Sequence, residues 1–161
     1  MRGDGDGWVL DPDGSRYWGV HGAAGLLLLA PLPDGVTGVL LQHRAAWSHQ
    51  GGTWALPGGA RDSHESAIDT AIREADEEAG IGGHELRVLS AFVTHNAPSG
   101  WTYTTVIAEV DEPVRTVANG ESTELRWVDI TDVEHMPLHP AFGRSWPRLK
   151  DHLTTAARQQ S

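Results

Sequence analysis

The chain has 161 residues, with 22 acidic against 12 basic side chains for a formal charge of −10, and no cysteine. That length can bury a sizeable core, and a single domain over residues 1–161 is expected because no repeat, low-complexity tract or linker interrupts it. The lack of Cys excludes disulfide and thiolate chemistry and fits a reducing cytoplasm, while the negative field repels duplex nucleic acid; a small phosphorylated ligand stays open where metal ions screen it.

Residues 1–15 are rich in Gly and Asp and read as a loose segment. Within it, Asp4 to Gly7 and Asp11 to Gly14 lack the third acidic position and distant Glu of a calcium loop, so both read as turns. The apolar run Ala23 to Ala30 is too short to span a bilayer, and the aspartates before it carry the wrong sign for a secretory leader. It is predicted to be a buried strand, and no membrane association is expected. Gly25 to Leu29 and Val36 to Gln42 form a strand pair around turn residues Pro31 to Gly35. Trp47 to Ala60 is loop-rich and leads into a helical pattern, with Ser63 as the expected N-cap and Gly80 as the C-terminal stop. On that helix Ile68, Ala71, Ile72, Ala75 and Ala79 make an apolar stripe. Leu86 to Thr94, Tyr103 to Val110 and Glu124 to Ile130 read as strands, and Pro140 to Gln159 as a last helix. Strands, a helix, strands and a helix point to an α/β fold of the α+β type, a sandwich rather than a regular βαβ repeat.

The helix also carries the chain's strongest chemical signal. Measured from Glu74, Glu77 and Glu78 fall at roughly 300° and 40° on a helical wheel, so three carboxylates share one face. Acidic helices are usually solvated faces. Here, however, Gly59, Glu65, Arg73, Glu74, Glu77, Glu78 and Gly80 occupy fixed spacings that end on Ile81. Each identity is roughly a one-in-fifteen event, so seven together arise by chance on the order of once in 10⁸ starts. Converging carboxylates repel unless a cation sits among them, and a hard divalent metal suits oxygen ligands.

This stretch resembles the Nudix box, departing from the family pattern at Ala75, where a larger aliphatic residue is usual. The resemblance implies a mixed β-sheet sandwiched between α-helices and a hydrolase of the MutT-like kind. It implies that Glu74, Glu77, Glu78 and the Gly59 carbonyl hold magnesium, with manganese as a substitute, and that Glu65 and Arg73 form a structural ion pair. Asp76 lies off the metal face and reads as solvated. The expected reaction is hydrolysis of the diphosphate bond in a nucleoside diphosphate linked to another moiety. A damaged or non-standard nucleoside triphosphate, giving nucleoside monophosphate and pyrophosphate, is the first choice of substrate. ADP-ribose or a nucleotide sugar is the alternative, and a ligand-sensing module without turnover is the alternative of another class. Relatives in this family are often dimers, which makes a homodimer an expectation.

Outside the box, mutator-type members place a functional glutamate on the loop before a Trp-bearing strand; Glu121, six residues before Trp127, resembles it, and Glu124 is its rival. Arg44, Trp47, His49 and Trp54 precede the box, and His95, Asn96 and Trp101 lie on a loop between strands. Arg or His suits phosphate, an indole stacks on a base, and Asn pairs with a purine edge, although each type serves packing or turns more often. His139 and Phe142 stand where mutator-type relatives contact the nucleobase, without those relatives' base-reading Asn. The nine histidines show no zinc-site spacing.

Overall fold

The computed structural model describes residues 3–44, 51–116 and 122–160. Among the described residues nine strands are formed: β1 Trp8–Leu10, β2 Arg16–Trp18, β3 Ala23–Pro31, β4 Thr37–Arg44, β5 Trp54–Ala55, β6 Gly58–Ala60, β7 Arg87–Asn96, β8 Thr102–Glu109 and β9 Ser122–Asp129. Helices α1 Ala67–Ala79 and α2 Pro140–Gln160 complete the chain, with 3₁₀ turns at Gly83–Glu85 and Val133–His135.

Strand β3 is the axis of a seven-stranded mixed sheet. Its run of four leucines lies parallel to β8, from Ala23 opposite Tyr103 to Leu29 opposite Glu109. A strand covered on both faces reads as a continuous apolar run rather than an alternating one, and the two cores show that cover. Ala24, Leu26, Leu28 and Ala30 pack with Val106 and Ala108 under Ala71, Ala75 and Ala79 of α1. Leu27 packs on the other face with Val39, Leu41 and Ile107 under Phe142, Trp146 and Leu149 of α2. The chain is therefore the expected helix–sheet–helix sandwich, and among the described residues no helix is long and apolar enough to cross a membrane.

The edge of β3 away from β8 is shared. β4 pairs with it only from Leu29–Pro31 to Thr37–Val39. Beyond that point β6 takes over β3, with Ala23 opposite Ala60 and Gly25 opposite Gly58, and β5 takes over β4 at Gln42 and His43. The segment from Trp54 to Ala60 is thus wedged into the sheet where β3 and β4 part. A wedge like this needs backbone without side chains: a Cβ on Gly58 would stand 2.5 Å from the Ala24 carbonyl oxygen.

Three expectations are corrected. Helix α1 is capped by Ser66, not Ser63: the Ser66 hydroxyl accepts from the Asp69 N–H at 3.0 Å while the Asp69 carboxylate accepts from the Ser66 N–H at 3.2 Å. That reciprocal pairing is a capping box, and the Ser63 hydroxyl instead donates to Asp4. The apolar stripe is narrower than predicted, since Ala71, Ala75 and Ala79 are fully buried while Ile68 is exposed and Ile72 only half-buried. Ala75 is fully enclosed, so the smaller residue there still docks the helix. Residues 1–15 are not a loose segment over their described part. β1 and β2 form a hairpin, with Trp8 opposite Trp18 and Val9 opposite Tyr17, and its approach is tied down where the Gly5 N–H donates to Asp62 at 2.9 Å.

The cap gives a clean stability test. Ser66→Ala should destabilise the fold by about 1 kcal/mol in urea denaturation, the usual cost of an N-cap.

Candidate active site

Gly58 and Gly59 end the wedge directly beneath α1. The Gly58 N–H donates to the Glu78 carboxylate at 2.8 Å. A Cβ on Gly59 would lie 2.5 Å from Glu74 Oε1, so only glycine lets the backbone come this close to the carboxylate. Gly80 stops the helix in the left-handed region, at φ 72°, one turn beyond Asp76, whose carbonyl accepts the Gly80 N–H at 2.9 Å. The three glutamates sit in graded environments: Glu78 is buried, Glu74 is 14% exposed in its side chain and Glu77 is 55% exposed. Asp76 is exposed.

Arg73 joins this face to its approach loop. Its Nε donates to Glu65 Oε2 at 2.7 Å and one terminal nitrogen to Glu65 Oε1 at 2.9 Å, a bidentate pair that matches the planar guanidinium. The same nitrogen reaches the Ala60 carbonyl at 3.0 Å, and the other donates to Glu74 at 2.9 Å and lies 3.5 Å from Glu77. Glu65, itself buried, also accepts from the Asp62 N–H at 3.1 Å and the Thr70 hydroxyl at 3.2 Å. The hydrogen bonds from Arg73 dominate, and against the opposing effect of burial they hold the Glu65 carboxyl down at about 2. Arg73 is raised in turn, first by its bond to Glu65.

The glutamate face opens on a cavity of about 1160 Å³, lined by Gly59, Glu74, Glu77 and Glu78 and also by Tyr17, His95, Trp101 and Tyr103. Tyr103 links the two groups. Its ring centroid is 6.4 Å from that of Trp101, and its hydroxyl lies over Gly25, where a Cβ would meet it. Burial, followed by the charges of Glu78 and Glu74, pushes the phenol up, so it stays protonated and able to donate.

Of the other sequence candidates, Arg44, His95, His139 and Phe142 line this cavity. Two are placed elsewhere. Trp54 is a core residue on the α2 side, 6% exposed, with the Arg126 guanidinium 4.9 Å above its ring; α2 claims the indole that the sequence offered to substrate. Asn96 is exposed at the end of β7, opposite Thr102 and off the cavity wall. Glu124 is off the wall as well, its carboxylate accepting two bonds from Arg126 at 3.0 and 2.8 Å. Trp47, His49 and Glu121 lie outside the described residues. Sequence reasoning missed Arg16, Tyr17 and Trp18, all on the wall. Their signal was the pair of short aromatic segments on either side of the turn from Asp11 to Gly14, a hairpin pattern.

The donor set fits a hard divalent cation: carboxylate oxygens from Glu74, Glu77 and Glu78, beside Gly59 of β6, whose backbone lies close to Glu74 because it carries no side chain. Asp62, His64 and Glu65 also bring ligand atoms within 4.8 Å of one another. That group fits less well, because both Glu65 oxygens are committed to Arg73.

A loop–helix of this geometry, on a sheet between two helices, turns three glutamates onto one cavity, an arrangement suited to a metal-dependent hydrolase. The family model described as the NUDIX domain matches residues 21–149, and the chain belongs to the Nudix hydrolases, which generally use divalent metals. It is 58% identical over 154 residues to "Putative 8-oxo-dGTP diphosphatase 3" of Mycobacterium tuberculosis, covering 93% of this chain and 71% of that protein. It is 44% identical to a "Nucleoside triphosphate pyrophosphatase/Nudix hydrolase fusion protein" of Bifidobacterium longum, across 94% of this chain and 33% of that one. Among solved structures, the Nudix hydrolase RenU of M. smegmatis superposes with a TM-score of 0.90 at 57% identity, covering 94% of this chain and 96% of that one.

The brace carries a pH signature. Glu65 titrates near 2 when folded and near 4.5 when free, so its contribution is complete above about 4.5 and is lost as pH falls towards 2. Glu65→Gln should cost about 3 kcal/mol at neutral pH. It should also flatten the dependence of stability on pH in that window, as read by denaturation between pH 2 and 6.

Proposed function

We propose that this enzyme hydrolyses a nucleoside triphosphate between its α and β phosphates, releasing nucleoside monophosphate and pyrophosphate, with magnesium as cofactor and manganese able to substitute. The observation that carries the reading is that the glutamate face and the aromatic wall share one cavity, so an anionic chain and a flat base can be held together. The names of the M. tuberculosis and B. longum relatives support a nucleoside triphosphate over ADP-ribose or a nucleotide sugar.

Glu74, Glu77, Glu78 and the Gly59 carbonyl would hold the metal. Bound there, it neutralises phosphate charge and acidifies a water. Arg73 keeps Glu74 beside Gly59 and fixes the helix on its loop. The Tyr103 hydroxyl, kept protonated by burial and by the charges of Glu78 and Glu74, is a hydrogen-bond donor beside the glutamate face. Water attacks phosphorus, the bridging P–O bond breaks, and pyrophosphate leaves with the electron pair. We assign the proton from that water to Glu121, on the sequence argument of its position before Trp127 and because Glu124 is engaged with Arg126. The absence of Cys supports a reducing compartment, and we place the enzyme in the cytoplasm.

The test is a panel of normal and oxidised nucleoside triphosphates, ADP-ribose, sugar nucleotides and dinucleoside polyphosphates in magnesium, with products resolved by chromatography. Nucleoside monophosphate plus pyrophosphate is expected from a triphosphate. Glu121→Gln should lower turnover at least tenfold, since a general base contributes about 10² or more. Preferential cleavage of ADP-ribose would move the substrate assignment, and an unchanged Glu121→Gln rate would remove that residue from the mechanism.

A further inference from the structure

The segment from Gly3 to Gly7 precedes β1 and runs beside the approach loop of the glutamate helix. Its carbonyls at Gly5 and Gly7 accept from the Val20 and Gly19 N–H groups at 2.8 and 2.7 Å, which seats it on the residues just after β2. Its other groups turn to the loop. The Gly5 N–H donates to Asp62 Oδ1 at 2.9 Å, the Ser63 N–H donates to Asp4 Oδ1 at 2.8 Å, and the Ser63 hydroxyl donates to the second Asp4 oxygen. The approach is too close for side chains: a Cβ on Gly3 would overlap the Asp62 carboxylate, and one on Gly5 the Arg61 carbonyl.

These contacts begin a chain of hydrogen bonds that ends on the glutamate face. Asp62, only 8% exposed, takes the Gly5 N–H on its carboxylate and gives its own N–H to Glu65 Oε1 at 3.1 Å. Glu65 takes the Arg73 guanidinium at 2.7 and 2.9 Å, and Arg73 donates to Glu74 at 2.9 Å. Each link is direct, and a satisfied polar network out of bulk water rigidifies what it connects. The ion pair from Asp62 straight to Arg73 is a lesser link, since it is 3.9 Å long and the Arg73 side chain is 31% exposed. Asp62 therefore acts by holding the loop that carries Glu65, more than by its charge.

We propose that Gly3 to Gly7 is a strap that sets the metal affinity of the glutamate face, with Asp62 as the positioning residue through which it acts. The inference rests on the proposed metal seat and reaction. The strap fixes Asp62, Asp62 fixes the approach loop and Glu65, and Glu65 sets Arg73, so Glu74 is held beside Gly59 before an ion arrives. An ion entering a site already ordered does not bear the cost of ordering it, and groups that orient metal ligands show their effect in affinity. With the strap displaced, that cost falls on metal binding.

The test is manganese binding by the full chain without nucleotide, followed by the paramagnetic resonance of the free ion. Gly5→Ala, which drives the strap off the Arg61 carbonyl, and Asp62→Ala, which removes its acceptor, should each weaken binding about tenfold, the lower end of what partners of metal ligands contribute. The double variant should bind no more weakly than the weaker single one, because both cut the same link. Asp62→Asn keeps an acceptor for the Gly5 N–H and should restore most of the affinity, a rescue not expected if Asp62 were itself a metal ligand. In turnover, the magnesium concentration for half-maximal rate should rise in the same order, while kcat and KM for nucleotide at saturating magnesium change far less. A segment that only added stability would lower the melting temperature and leave metal affinity alone. Unchanged manganese binding in both single variants, additive losses in the double one, or no rescue by Asp62→Asn would overturn the proposal. Should Gly5→Ala not fold, Asp62→Ala against Asp62→Asn decides it. The expected order of manganese binding in a chain that hydrolyses no triphosphate would sink the proposed reaction and leave the strap standing.

Discussion

One guanidinium organises the glutamate face of this molecule. Arg73 bonds to Glu65 through two nitrogens, to the Ala60 carbonyl, and to Glu74, so the approach loop, the wedge strand and the first of the three glutamates are fixed by a single side chain. The geometry requires arginine. A lysine presents a point charge and could not serve a bidentate carboxylate, a carbonyl and a second carboxylate at fixed angles. Three carboxylates crowded on one helical face raise the free energy of the folded chain, and Arg73 offsets part of that repulsion without filling the cavity.

The brace matters because of where the sheet places it. β3 and β4 part after three paired residues, and β5 and β6 fill the opening, bringing Gly58 and Gly59 up to the acidic side of α1. The alanine stripe, with no side chain larger than a methyl group, lets α1 rest directly on β3 and β6. Packing and chemistry meet at two glycines. One allows the wedge to lie against β3, and the other leaves room for Glu74.

The box, its helix and the two-sided sheet were legible because each is written in local pattern: fixed identities, a 3.6-residue period, and the unbroken apolar run of β3. The rest was decided by contacts remote in sequence. Ser63 and Ser66 look alike as caps, and the choice between them is settled by Asp69, which completes a capping box with Ser66, while the Ser63 hydroxyl goes to Asp4, 59 residues before it. Trp54 adjoins the box but is drawn into the core by Trp146 and Phe142 of α2, whose docking no local signal specifies. Strands of three residues in β1 and β2 are too short to show a period, and their fixing points, Asp62 and Ser99, are 57 and 88 residues away from the groups they bond. Long-range pairing of this kind hides an element that carries three aromatic residues of the cavity wall, Trp8, Tyr17 and Trp18.

We propose that the carboxylates of α1, rather than the neighbouring group of Asp62, His64 and Glu65, are the metal seat of this Nudix hydrolase. Crystals soaked in manganese would test it directly through the anomalous signal. The expected result is a peak about 2.2 Å from oxygens of Glu74, Glu77 or Glu78 and from the Gly59 carbonyl, near the distance seen for small hard cations. A peak confined to Asp62, His64 and Glu65, with Arg73 displaced from Glu65, would contradict the account.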